Sequence, residues 1–243
     1  MLIPMKTYRR FYSAAGALFL VAMLVGFRQF VEHGRAAGGA VIAPSMFRLD
    51  LIHGLAIAAW YLLFFVQSLL MTVKRPRIHF KLGWAAVVIA PIVAVTGTLV
   101  PIRSVQIAPP DFQFVGMQYS RFLLVMMVEI FLYSLFVAIG IFNRKKPRIH
   151  RVAMLLASLS LLPGATIRMP FLHPVFGDTG WVALFGPVFC LGAISLLVYC
   201  FMTRAFDRWF AIAYVLWVIA FIASTKLALT ATWDAISRKI LRL

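Results

Sequence analysis

Seven long apolar runs are the feature that most limits what this chain can fold into. Each run is about as long as the roughly 20 residues that a helix needs to cross the hydrocarbon core of a bilayer. Only short connectors separate the runs, so there is no room for a separate globular domain. The sequence therefore predicts one all-α, polytopic transmembrane domain over residues 1–243, with helices near 11–31, 49–73, 82–102, 119–143, 150–168, 181–203 and 208–233.

Composition agrees with a bilayer rather than water as the surroundings. Of the 243 residues, 63% are hydrophobic and 13% are charged, whereas soluble domains carry about 25% charged residues. The net charge of +17 comes from clusters between the apolar runs. Basic clusters at that position favour anionic lipid headgroups, not nucleic acid, as partner.

The connectors alternate in charge, and this alternation predicts the orientation. Basic residues gather in every second connector, and the positive-inside rule places that side in the cytoplasm of a bacterial inner membrane. The N-terminus is then cytoplasmic and, with seven spans, the C-terminus is outside. The positive-inside rule disfavours basic residues on the outer side, where this orientation places Arg238, Lys239 and Arg242.

A six-residue motif, K-[RK]-P-R-I-H, occurs twice. One copy covers residues 74–79 and the other 145–150, and each joins two predicted helices. Each following helix carries a proline, Pro91 or Pro163, and then an arginine near its far end. We therefore predict a parallel internal repeat of two hairpins, about 49–103 and 119–168.

The histidine that ends each motif, His79 or His150, has two interpretations. In the first, each motif is a cationic turn that anchors the helices to anionic lipid. In the second, the two imidazoles lie at similar depth on adjacent hairpins and hold the iron of a haem b near the cytoplasmic surface. The sequence leaves both open.

Three polar or aromatic side chains form a stripe on the second helix. His53, Trp60 and Gln67 follow each other at intervals of seven residues, which places them on one helical face. An apolar helix that aligns its few polar groups turns them away from lipid. The stripe therefore predicts either a packing seam with neighbouring helices or the lining of a pocket.

Glu129 lies near the middle of the fourth helix, where an isolated carboxylate is strongly disfavoured. It must be protonated or paired. The helix directions place five candidate cations in the outer half of the membrane: Arg28, His53, Arg121, Arg168 and Lys226. From these we predict an outward-facing polar site formed by His53, Glu129, Arg168 and Lys226. It holds an anionic ligand, a quinone-like headgroup or a proton path, or else it forms a structural ion-pair network.

With these motifs the chain resembles a family of uncharacterised bacterial seven-helix inner-membrane proteins. The shared features include the helix 2 stripe, the two R-I-H turns, the Pro163-x4-Arg168 segment and Lys226-x6-Trp233. A weaker similarity links the histidine turns to ascorbate-reducible b-type cytochromes and to haem A synthase. That similarity implies haem b, although Leu124 stands where a fourth buried ligand is expected.

Several function classes are excluded by missing motifs. The sequence has no Cys/His metal cluster, glycine-rich phosphate loop or nucleophile elbow, which excludes soluble-type hydrolases and kinases. We expect a non-enzymatic role. The remaining classes are a protein that binds or transports a small ligand at the outer polar site, a b-type cytochrome, and a scaffold or assembly subunit of a membrane complex.

Overall fold

The computed structural model describes residues 6–35 and 42–241 as an assembly of helices with one small hairpin. Arg242 lies outside the described residues. The helices are α1 (Lys6–Gly26), α2 (Arg28–His33), α3 (Pro44–Thr72), α4 (Pro76–Leu82), α5 (Trp84–Ile107), α6 (Tyr119–Phe142), α7 (Pro147–Ser160), α8 (Pro163–Thr166), α9 (His173–Phe176), α10 (Gly180–Thr203), α11 (Arg208–Ala228) and α12 (Ala231–Leu241), and the strands β1 (Gln113–Phe114) and β2 (Met117–Gln118) form the hairpin.

Seven segments of the described chain are long and apolar enough to cross a membrane, which confirms the predicted fold class. Two of the seven are compound. The third combines α4 and α5, and the fifth combines α7 and α8. The connectors with most of the basic residues lie together at one end of the bundle, called here the basic end; the hairpin lies at the opposite end.

Helix α7 is the central helix of the bundle. The span that contains it is 78% buried, whereas the other spans are 28–44% buried. It packs against α1, α3, α6, α10 and α11. Its two serines bond to tryptophans of neighbouring helices: Trp60 Nε1 donates to Ser158 Oγ at 3.2 Å and Trp217 Nε1 to Ser160 Oγ at 2.8 Å. Both tryptophan N–H groups are therefore satisfied inside the bundle.

The fifth span ends differently from the predicted helix 150–168. Regular helix stops at Ser160, because Pro163 lacks the N–H that continues the hydrogen-bond ladder, and the single turn α8 follows. Arg168 consequently lies beyond α8 rather than on a continuous helix. This break turns the chain so that Arg168 faces back into the bundle, near α3 and α6.

The last predicted helix, 208–233, is two helices. Helix α11 ends at Ala228, and the Thr230 hydroxyl accepts from Trp233 N at 3.3 Å where α12 begins. Helix α12 lies against α5 and α6 at the opposite end. Trp233 Nε1 donates to Ser120 O at 3.1 Å, and Gln106 Nε2 donates to Leu241 O at 3.1 Å. Arg238 and Lys239 therefore belong to a docked helix, not to the end of a spanning one.

Candidate functional site

A cavity of about 550 Å³ lies at the basic end, and we call it the histidine cavity. Its volume is in the range of pockets that hold small molecules and cofactors. The lining is mainly apolar and aromatic, with a basic border. The lining includes Trp60, Gln67, His79, Phe80, Trp84, His150 and Met154, and the basic residues Arg9, Arg144 and Arg151.

The structure brings the two motif histidines together in this cavity. The ring centroids of His79 and His150 are 6.4 Å apart and their planes are perpendicular. His79 Nδ1 lies 3.2 Å from Gln67 O, and His150 Nδ1 lies 2.9 Å from Gly140 O. A carbonyl oxygen only accepts, so Nδ1 carries the proton in both rings. Nε2 of each neutral imidazole is then an unprotonated lone-pair donor.

The two motif copies position their histidines in the same local way. Each copy starts its helix with a proline at the first turn, Pro76 or Pro147, and the histidine follows three residues later. Gly140 lets α7 approach α6 closely, since a Cβ there would lie 2.6 Å from Met154 Cε. The close approach allows His150 to reach the Gly140 carbonyl.

The predicted stripe on α3 divides between two regions. Trp60 and Gln67 line the histidine cavity, and Trp60 also packs edge-on against Tyr133 with centroids 5.0 Å apart. The Gln67 side-chain oxygen is buried and has no hydrogen-bond partner among the described residues. His53 lies two turns away, toward the opposite end. The stripe is thus both packing seam and cavity lining.

A second polar region, the carboxylate cluster, consists of Asp50, Glu129 and Arg168. Arg168 interacts electrostatically with both acids and with Tyr119. Its guanidinium stacks on the Phe27 ring, 4.9 Å from the centroid, and Nη1 donates to the Gly164 carbonyl. These contacts fix the guanidinium while leaving it within electrostatic reach of α3 and α6.

His53 lies on α3, three residues after Asp50. Thr96 Oγ1 donates to Ile92 O at 2.6 Å, so its oxygen accepts from the His53 Nδ1–H at 2.9 Å. Nε2 is again the unprotonated nitrogen. The ring packs close to α5, because Gly97 has no side chain and a Cβ there would lie 3.2 Å from His53 Cε1.

The structure separates the other predicted cations from Glu129. Lys226 is exposed on α11 and is not among the charged groups that act on Glu129. Arg28 pairs with Glu32 at 3.6 Å, and Arg121 pairs with Asp234 at 2.8 Å. Of the predicted cations, Arg168 is the one that the structure places in electrostatic contact with this acid.

Asp50 is the residue that the sequence analysis missed. It precedes His53 by three residues, so both lie on one face of α3. This spacing of three residues is the sequence pattern that indicates a shared helical face for Asp50 and His53. With Asp50 included, the cluster has two carboxylates for one guanidinium, which disfavours an anionic ligand and favours a cation or a proton.

No family model, curated protein or solved structure matches this chain. Functional inference therefore depends on the geometry of its two polar regions. Within residues 6–35 and 42–241, no three His, Cys, Asp or Glu side chains are grouped so that they hold a metal ion by themselves. A metal bound through an organic cofactor needs fewer protein ligands, and the histidine cavity offers two.

Proposed function

We propose that this membrane protein binds a haem b in the histidine cavity and transfers electrons. The observation that carries the proposal is the pairing of His79 and His150, which present Nε2 lone pairs with ring centroids 6.4 Å apart. A metal–imidazole bond is about 2.0–2.1 Å long. Two imidazoles that bind one metal ion through Nε2 would therefore have ring centroids roughly 6 Å apart, so His79 and His150 are close enough to hold one iron together.

The hydrogen bonds behind the histidines support the same assignment. Metal-binding histidines usually donate their second N–H to a carbonyl or carboxylate, which fixes the tautomer and the ring orientation. His79 and His150 meet this requirement through Gln67 O and Gly140 O. A turn that only contacts lipid needs neither of these two hydrogen bonds.

The rest of the cavity suits a large apolar ring that carries carboxylates. Phe80, Trp84 and Met154 supply apolar surface, while Arg9 and Arg144 lie at the border. Arginines form strong, charge-assisted hydrogen bonds with carboxylates such as haem propionates. A haem held by His79 and His150 would supply one-electron redox chemistry.

The experiment is an absorption spectrum of protein purified from cells supplied with haem. We expect a Soret band that His79→Ala and His150→Ala each remove, and that His33→Ala retains because His33 is exposed and distant from the cavity. Circular dichroism checks that the variants are folded. A folded wild-type protein without a Soret band, after haem reconstitution, rejects the proposal.

A second candidate function is the binding of a small ligand at the carboxylate cluster. Asp50, Glu129 and Arg168 are each half-buried, and no described ion pair within 4.0 Å joins them. Glu129→Gln is expected to abolish the activity of this site, and Lys226→Met is the control, because Lys226 lies outside the cluster. If Glu129→Gln and Lys226→Met change the activity equally, the ligand does not bind at the carboxylate cluster.

For the orientation, we propose a bacterial inner membrane with the basic end and the N-terminus in the cytoplasm. The basic turns at residues 74–81 and 144–151 then contact anionic headgroups of the inner leaflet. The histidine cavity would open near the cytoplasmic surface and the carboxylate cluster near the outer one. Labelling of single cysteines from the two sides of the membrane tests this orientation.

A further inference from the structure

Helix α12 crosses the ends of two spans at the opposite end of the bundle. Near its start, Trp233 Nε1 donates to Ser120 O in the first turn of α6 at 3.1 Å. At its other end, the Leu241 carbonyl accepts from Gln106 Nε2 in the last turn of α5, also at 3.1 Å. Leu241 follows Trp233 by eight residues, a rise of about 12 Å, and the axes of packed helices lie about 8–10 Å apart. The axis of α12 therefore runs across α5 and α6, close to the plane of the membrane surface.

Docking leaves one face of α12 exposed. The bundle buries Trp233 and Ser237, whereas Ile236, Arg238 and Lys239 are exposed. Ile236 is 45% exposed, and Lys239 follows it by three residues, so the two side chains share a helical face. An in-plane helix that exposes both apolar and basic side chains is typical of the boundary between acyl chains and lipid headgroups.

Arg103 of α5 belongs to the same basic surface. Its Nη1 donates to Gln106 Oε1 at 3.1 Å, and Gln106 Nε2 in turn donates to the Leu241 carbonyl. This bridge holds the Arg103 guanidinium beside the last turn of α12, which carries Arg238 and Lys239. We call Arg103, Arg238 and Lys239 together the α12 patch.

The α12 patch is not neutralised by direct contact with an acid of the described chain. Among the residues that the structure describes, no ion pair within 4.0 Å includes Arg103, Arg238 or Lys239. Asp234, the acid of α12, is paired with Arg121 at 2.8 Å, and Arg238 acts on it from beyond 4.0 Å. The positive charge of the patch is therefore available to a partner outside this part of the chain.

We propose that the α12 patch binds the phosphate groups of anionic phospholipids in the leaflet at the opposite end, and that this contact anchors α12 in the membrane surface. The in-plane position of α12 favours lipid as the partner, because phospholipid phosphates are concentrated at that depth. Basic side chains close to an anionic surface are attracted to it. The proposal also gives a role to Arg238 and Lys239 on the side that the positive-inside rule disfavours. It goes beyond the proposed function and requires neither haem nor the carboxylate cluster.

Hydrogen exchange in lipid nanodiscs tests this contact without any assay of activity. The protein is compared in nanodiscs of phosphatidylcholine and in nanodiscs that also contain phosphatidylglycerol. We expect phosphatidylglycerol to slow the exchange of the α12 amides by roughly fivefold for each cation in contact with lipid. The amides of the central helix α7 serve as the internal reference and should not change. High salt should reduce the effect, because it screens exposed charges.

Two variants with a matched control assign the effect to the patch. Arg238→Gln combined with Lys239→Gln should lose the phosphatidylglycerol effect on α12, whereas Arg238→Lys should keep it. The control, Lys74→Gln combined with Arg77→Gln, removes one lysine and one arginine that are exposed at the basic end, and it should retain the effect. Each variant is compared with itself in the two lipid compositions, so a general loosening of α12 does not imitate the expected result.

Three results overturn the proposal. If phosphatidylglycerol leaves the exchange of wild-type α12 unchanged, anionic lipid does not anchor this helix. If the effect is as large in the combined Arg238→Gln and Lys239→Gln variant, the lipid acts elsewhere on the protein. Inorganic phosphate added to phosphatidylcholine nanodiscs should have no effect, and protection of α12 by phosphate alone would show that the patch binds a free anion instead of lipid.

Discussion

A single hydrogen bond decides which ring nitrogen of each membrane histidine is unprotonated. His53, His79 and His150 all have Nδ1 bonded to an oxygen that accepts, either a carbonyl or the Thr96 hydroxyl. Each neutral ring therefore offers Nε2 as a base or ligand. In His79 and His150 this is the nitrogen that the proposed haem would use, and in His53 it leaves an unprotonated nitrogen about one helical turn along α3 from Asp50.

Asp207 makes the clearest prediction about stability at the residue scale. This carboxylate is 4% exposed, accepts from Phe210 N at 3.0 Å as the cap of α11, and binds Arg148 through two contacts of 2.8 Å. Asp207→Ala removes the cap, which costs about 1 kcal/mol. We expect a lower melting temperature in detergent micelles. Asp178→Ala, at an exposed position, is the control, and equal melting of the two variants contradicts this role.

At the scale of elements, glycines set how closely α1 and α8 approach. A Cβ on Gly26 would lie 2.7 Å from Ala165 Cα, and the neighbouring backbone atoms of Ala165 are as close. Backbone cannot rotate aside as a side chain can. Gly26→Ala therefore pushes apart the two helices whose ends carry Phe27 and Arg168.

We expect Gly26→Ala to destabilise the protein by about 1–3 kcal/mol, the usual cost of overpacking. Gly164→Ala is the matched control on α8, since the nearest atom to its Cβ would be Arg168 Nη1 at an ordinary 3.5 Å. Thermal unfolding in micelles measures both. A Gly26→Ala variant as stable as Gly164→Ala would show that the helices separate without cost.

Helix α12 depends on an ion pair whose strength varies with pH. Arg121 donates two hydrogen bonds to Asp234, of 3.0 and 2.8 Å, and these bonds hold the pKa of that carboxyl below its usual value, with a smaller contribution from Arg238. Because the pKa of the Asp234 carboxyl is lowered, the ion pair stabilises the docking of α12 at pH values above the pKa of this carboxyl in the unfolded chain, about 4. This stabilisation is lost as the pH falls through the pKa of Asp234 in the folded protein.

We therefore expect the backbone amides of α12 to lose protection as the pH falls below about 4. Hydrogen exchange, corrected for the intrinsic effect of pH on the exchange rate, measures this loss, with α6 as the internal reference. In Asp234→Asn the protection of α12 should be lower at neutral pH and independent of pH. Protection in the wild type that does not change with pH would argue that Trp233 and the apolar face alone hold α12.

For the whole molecule, the distribution of charge predicts a direction across the membrane. Single cysteines at Arg75→Cys and Asp111→Cys, in a background with Cys190 and Cys200 replaced by serine, mark the two ends of the bundle. With the basic end in the cytoplasm, an impermeant maleimide should label Asp111→Cys in intact cells and Arg75→Cys after lysis alone. The reverse pattern would invert the orientation.

The amino-acid sequence by itself determined the spans, because hydropathy and proline or charge signals are local along the chain. The seven apolar runs, the all-α class and the presence of a histidine at the first turn of α4 and α7 all follow from such signals. Glu129 was also found this way, since an acid inside an apolar run is conspicuous in any sequence.

Only the tertiary structure decided which polar groups meet. When every face of a helix is apolar, the sequence does not indicate how the helix is rotated about its own axis. The sequence therefore predicted Lys226 near Glu129 and did not predict Asp50. The break before Pro163 turns Arg168 inward, and the end of α11 at Ala228 leaves α12 free to dock across α5 and α6. The central position of α7 likewise comes from packing among helices.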